Sequence, residues 1–109
     1  MTWYEKIIAA HTAVTDAVSH NERLKSERYF VWQEEGANDQ MADNRHVNRA
    51  MTGVTDLFTK QEFDPWAKAF ENSLTASGIA WSLNTIQYEP DTGFTHYEWL
   101  WSVADTPEE

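Results

Sequence analysis

Residues 79–103 hold two arms, IAWSLNTIQY and FTHYEWLWSV, on either side of the turn signal EPDTG, and each arm limits where the other's apolar side chains can go. Pairing Tyr88 with Phe94 across a five-residue turn sets Ile79 against Val103, Trp81 against Trp101, Leu83 against Trp99 and Thr85 against Tyr97. One face of the hairpin is then almost wholly apolar. A four-residue loop would slip the pairing by one and bring Trp81 opposite Ser102, sending one arm's apolar set to the wrong side. The spacing therefore predicts the five-residue loop, with Ile86, Tyr88, Phe94, His96 and Leu100 together on the opposite face among Ser82, Asn84 and Glu98. Clustered apolar positions on a second face suggest a partner surface, and these five are the candidate subunit-interface residues.

Ahead of that hairpin the chain alternates helical and extended patterns. Thr2 followed by Glu5 is a capping box, and Trp3, Ile7, Val14 and Val18 recur at helical spacing with Ile8 alongside, which predicts a first helix over residues 3–20. His11 falls on its apolar stripe, where a core histidine is the ordinary reading. "YFVWQ" (29–33) is a continuous aromatic and β-branched run and predicts a covered strand, and 47–59 predicts a second strand with Gly53 as a bulge or close-approach point. Asp64 before Pro65 marks the start of a second helix carrying Trp66, Phe70 and Leu74 on one face, and Gly78 marks its end. The expectation is an α+β fold: an antiparallel sheet of about four strands, two helices packed on one face, in the order helix-strand-strand-helix-strand-strand. Residues 1–104 are expected to form a single domain, and 105–109 a loose acidic tail.

The stretch WQEEGANDQMADNRHVN (32–48) breaks this regularity and places Glu34, Glu35, Asp39 and Asp43 within ten residues. It is expected to be a long loop, flexible in an isolated subunit. Its carboxylates lack the alternating spacing of an EF-hand, and His46 beside Asp43 has no second histidine to complete a transition-metal site.

Charge excludes more than it assigns. The net charge is −10, all eight Lys and Arg lie between Lys6 and Lys68, and residues 69–109 carry seven carboxylates against no fixed positive charge. Such a chain is ill suited to gripping phosphates. There is no Cys, hence no disulfide framework or thiolate site, and no apolar run approaches the length of a membrane span. With no signal peptide visible, a soluble, intracellular-type protein is expected. Glycine-rich phosphate loops, nucleophile elbows, HExxH and CxxC motifs are all missing. His20 with Glu22 and His96 with Glu98 are the nearest things to a base oriented by a carboxylate. No catalysis, cofactor or metal is expected.

The order YFVWQEEGANDQMADNRHVNRAMTGVTDLFTKQEFDP, then a helix, GIAW and the closing YEPDTGFTHYEWLWSV, resembles the small tail-terminator (tail-completion) proteins of long-tailed bacteriophages. In that family an extended strand leads to an acidic EEG and an ADN segment, then to a strand ending in LYT or similar ahead of an acidic helix start. Here the positions are Glu34, Glu35 and Gly36, then Ala42, Asp43 and Asn44, then Leu57, Phe58 and Thr59. The resemblance spans about residues 29–103. It departs from the family at the basic connection NERLKSER and at Gly53, which interrupts the second strand. It implies a ring, usually a hexamer, that caps the finished tail tube and offers a docking face to the head connector. The partners implied are further copies of the chain, the tail tube protein and the head connector protein, with genomic DNA only passing through. The location implied is the head-tail junction of the virion, after assembly in the host cytoplasm. In that setting Glu34, Glu35, Asp39 and Asp43 are the candidate channel or assembly loop. The competing expectation is an acidic inhibitor or DNA mimic that occupies a basic site on a nuclease or DNA-binding protein.

Overall fold

The computed structural model describes the backbone of residues 1–42 and 45–105, and side chains outside 38–48 within them. Its elements are α1 (Trp3–Thr12), β1 (Val18–His20), β2 (Arg28–Ala42), β3 (Arg45–Thr59), α2 (Pro65–Ala76), β4 (Ala80–Glu89) and β5 (Phe94–Ala104). The strands form one sheet in the order β1-β2-β3-β5-β4, antiparallel throughout except that β1 lies parallel to β2. This is the expected α+β class, with one strand more than expected. No helix among the described residues is long and apolar enough to cross a membrane.

Local chemistry fixes both helix starts. The Thr2 hydroxyl accepts from the Glu5 N–H at 3.1 Å while Glu5 Oε1 accepts from the Thr2 N–H at 2.9 Å, the reciprocal capping box. Asp64 accepts from the Trp66 N–H at 2.9 Å, with Pro65 in the first helical position. At the far end of α2, Ile79 N–H bonds to Leu74 O and Gly78 N–H to Thr75 O, with Gly78 at φ +72°: a Schellman cap whose apolar closing residue, Ile79, is buried.

Helix α1 stops at Thr12 instead of continuing to residue 20. Val14 and Val18 keep the helical spacing, but they are β-branched and fit an extended chain equally well. The Thr15 hydroxyl accepts from the Ala17 N–H at 3.1 Å and turns the backbone, so that Val18, Ser19 and His20 pair beside Phe30, Val31 and Trp32.

Both helices pack on one face of the sheet. There Ile7 and Ala10 of α1 and Phe70 and Leu74 of α2 meet Phe30, Trp32, Leu57, Trp99 and Trp101. His11 is fully buried within this layer. Its Nδ1–H donates to Ile7 O at 2.7 Å, which leaves Nε2 to accept from the Thr55 hydroxyl at 2.9 Å, and Thr55 Oγ1 in turn accepts from the Trp101 indole N–H at 2.9 Å. One satisfied polar chain thus ties α1 to β3 and β5.

Burial lowers the pKa of His11 to about 4. A folded pKa below the unfolded one means that the unfolded state binds the extra proton between pH 6.5 and 4, so stability is complete above 6.5 and falls as the pH drops through that window. Lowering the pH from 6.5 to 5 is expected to cost about 1.5 kcal/mol, read as a fall in the urea midpoint, and His11→Gln should abolish that fall. His96, whose pKa is raised by its bond to Asp56, loses its contribution above pH 6.5 and stays out of this window. An unchanged pH slope in the variant would refute the assignment.

The opposite face is not left open, as a one-sided sheet would predict. Tyr29, Val31 and Phe58 are buried there with Ala17 and Phe94 packed against them, and the Arg23 guanidinium sits 4.1 Å above the Phe58 ring. Arg23, in the basic connection of residues 21–27, thus supplies part of that cover.

Candidate functional site

The acidic stretch expected to be a loop is a strand ribbon. Strand β2 pairs with β3 from Arg28↔Thr59 out to Ala42↔Arg45, with register shifts between Glu34 and Gly36 and between Gln40 and Met41. Strand β5 ends opposite Ala50, with one further bond from Asp105 N–H to Arg49 O. In the described pairings the outer part of the ribbon, 39–42 with 45–49, has no third strand beside it. A two-stranded ribbon outside the core has no face to bury, and so no apolar alternation to announce it.

Four loop carboxylates were expected to act together. Glu34 is exposed, and its Oε1 accepts from His20 Nε2 at 3.0 Å; the His20 ring is stacked 4.0 Å from Trp32. His20 therefore pairs with Glu34 rather than with Glu22. Glu35 is exposed at the first register shift. Asp39 stands opposite Arg49 in the ribbon, but its side chain, like that of His46, lies outside the described residues, as does the whole of Asp43.

The five candidate interface residues do not share a face. Glu89 pairs with Phe94, which closes a four-residue loop with Gly93 at φ +77°, yet Trp81↔Trp101 and Leu83↔Trp99 hold as expected. A bulge at Asn84, between Leu83 and Thr85, absorbs the one-residue slip. Beyond the bulge the sides exchange: Ile86 pairs with Tyr97 and Tyr88 with Thr95, on the helix-bearing face, while Phe94, His96 and Leu100 stay on the other. Ile86 and Tyr88 are 56% and 64% exposed, at the outer edge of the sheet. Phe94 and His96 are half-buried around Phe58, with the imidazole stacked 4.5 Å from that ring.

His96 has a partner that sequence spacing did not reveal, because it comes from β3. Its Nε2–H donates to Asp56 Oδ1 at 2.8 Å, and that hydrogen bond, opposed by burial, raises its pKa. Glu98, directly across from Asp56 in the sheet, accepts from Asn84 Nδ2 at 2.7 Å. Asp56, His96 and Glu98 offer one nitrogen and two oxygens within 4.8 Å of one another, a donor set that a borderline divalent cation accepts. In this geometry the His96 proton already stands where such a cation would, between the imidazole and Asp56.

A second feature lies at the other edge of the sheet. Helix α1 and strand β1 enclose a groove of about 510 Å³, with Trp3, Tyr4, Ile8, Val18 and Trp32 forming its apolar wall and His20 and Glu34 at its rim. Tyr4 and Ile8 are 46% and 42% exposed, although Ile7, Ala10 and His11 of the same helix are buried. Ile7 and Ile8 side by side are the sequence signal: a helix apolar on two faces needs two partners.

No protein-family model matches the chain, and no curated protein is similar to it in sequence. A chain in the solved virion of a native gene transfer agent (GTA) particle superposes on this fold with a TM-score of 0.60 at 11% sequence identity. The superposition covers 95% of this chain and 91% of that one. At that identity the two share a fold.

Proposed function

We propose that this chain is a structural virion protein: a subunit of a ring, six-membered in the family its sequence resembles, that terminates a tail tube and joins it to the head connector. The observation that carries this reading is the near full-length fold likeness to a chain of a gene transfer agent virion, TM-score 0.60 over 95% of the residues. The order of sequence motifs between residues 29 and 103 points the same way. So does the charge: a ring of subunits each at −10 repels phosphates and lets DNA pass without capture. On this reading Glu34, Glu35 and Asp39 of the β2–β3 ribbon, together with Asp43, which lies outside the described residues, serve the channel or the assembly, and no catalysis or cofactor is involved. The tail tube protein, the head connector protein and other copies of the chain are the partners, at the head-tail junction of the virion.

Light scattering and negative-stain microscopy on the purified protein, alone and with tail tubes or connector added, test the proposal. Closed rings are expected, if not in isolation then on the tubes. A strictly monomeric protein under all of these conditions overturns it. A salt-sensitive one-to-one complex with a basic protein, captured from infected cells, would instead favour the inhibitor or DNA mimic.

A further inference from the structure

The two edges of the sheet are unequal, and what each lacks the other has. At one edge β1 contributes only three residues and pairs with β2 alone, while Tyr4 and Ile8 of α1 wall the groove beside it. At the other edge β4 runs for ten residues, seven of them exposed, and from 72 to 88 the chain has no Asp, Glu, Lys, Arg or Pro. Exposed edges are ordinarily blunted by charge, proline or a bulge. Apart from Glu89 at the last position of the strand, only the bulge at Asn84 does so here.

We infer that the groove between α1 and β1 is a vacant strand position filled by the β4 edge of a second copy of this chain. Three observations single out this occupant. Leu83, Ile86 and Tyr88 are exposed on the helix-bearing face of β4, the same face on which the groove lies, so a sheet continued from β1 to a neighbour's β4 carries them under α1. The directions agree: β1 is parallel to β2, and three successive antiparallel pairings lead to β4, so β1 and β4 run opposite ways and join as an antiparallel pair. Charge also agrees, because a subunit at −10 resists contact with its own kind, and an uncharged stretch is the one it can offer without stacking carboxylate on carboxylate. A groove and a strand at opposite edges form a heterologous contact, the kind that generates rings, whereas β4 paired with β4 closes a dimer and leaves the groove empty.

This inference rests on the ring reading and is tested separately from it. The chain has no cysteine, so Ile8→Cys and Ile86→Cys each introduce a single thiol. In rings, free or assembled on tail tubes, a short bismaleimide should join the two variants when they are mixed and neither variant to itself. Capture of Ile86→Cys alone would mean β4 against β4, and rings with no mixed capture would mean another contact; either overturns the inference and leaves the ring standing. Absence of rings removes both. Ile86→Lys, a charge at a 56% exposed position, should abolish ring formation while the urea midpoint stays unchanged. Rings formed as readily by that variant would also count against the slot.

Discussion

Asp64→Ala is expected to cost about 3–4 kcal/mol of folding stability, because one carboxylate accepts four hydrogen bonds from three groups at once. Its Oδ2 accepts from Arg28 Nε at 2.7 Å and from the Thr59 hydroxyl at 2.7 Å, and its Oδ1 from Arg28 Nη2 and, at 2.9 Å, from the Trp66 N–H that opens α2. Asp64 and Thr59 are buried, and the guanidinium lies 3.6 Å above the Trp66 ring. Removing the carboxylate leaves a charge, a hydroxyl and a helix N-terminus without an acceptor. Breaking a buried pair costs roughly 3–5 kcal/mol, and the one-third exposure of the Arg28 side chain sets the lower half of that range, since water takes over part of its hydration. Burial opposes ionisation of Asp64, but the Arg28, Thr59 and Trp66 bonds outweigh it and hold the pKa below the carboxylate norm. The contribution is therefore present above about pH 3.8 and lost as the pH falls through the folded value. Urea unfolding at pH 7 measures the loss. In a double-mutant cycle Arg28→Met with Asp64→Ala should cost clearly less than the sum of the two single changes, and additive costs would disprove the coupling.

That hub explains why the middle of the chain was legible. Asp64-Pro65 announces a helix start by local chemistry alone, and the same holds for the Thr2-Glu5 box and the Gly78 cap. Local signals say nothing about what lies across the sheet. The bulge at Asn84 could not be seen from alternation, because a four-residue loop with a bulge and a five-residue loop without one give the same Trp81↔Trp101 and Leu83↔Trp99 pairs. They differ only beyond residue 84, where Ile86 and Tyr88 change sides. Asp56 was missed as the partner of His96 for a related reason: forty residues separate them, and only the β3–β5 register brings them together. The ribbon failed as a prediction because its pairing is carried by backbone bonds, and polar residues such as those of 34–49 give no periodic trace of these.

Gly53 is where the ribbon and the core meet, and Gly53→Ala is expected to cost about 3 kcal/mol, the upper part of the range for overpacking. Gly53 stands opposite the register shift at Glu34 and pairs with Trp101 on its other side. A Cβ there would fall inside the van der Waals envelope of Trp101 Cζ2 and Cη2 and 2.5 Å from the Gln33 carbonyl oxygen. The carbonyl belongs to the sheet and cannot swing away, so the indole must move. Its N–H is held by Thr55, and the Thr55 hydroxyl is held by His11 of α1, so displacing Trp101 strains the chain of bonds that seats α1 on the sheet. The damage should therefore appear at a distance, as a looser α1 and a changed groove beside Tyr4 and Ile8. Gly36→Ala is the control, because nothing lies within 4 Å of a Cβ built there and its stability should change by less than about 1 kcal/mol. Urea midpoints of the two variants, with hydrogen exchange of the α1 amides, decide the matter. Equal midpoints would show that Trp101 has room to yield, and a large loss with unaltered α1 protection would show that the His11–Thr55–Trp101 link does not carry strain to the helix.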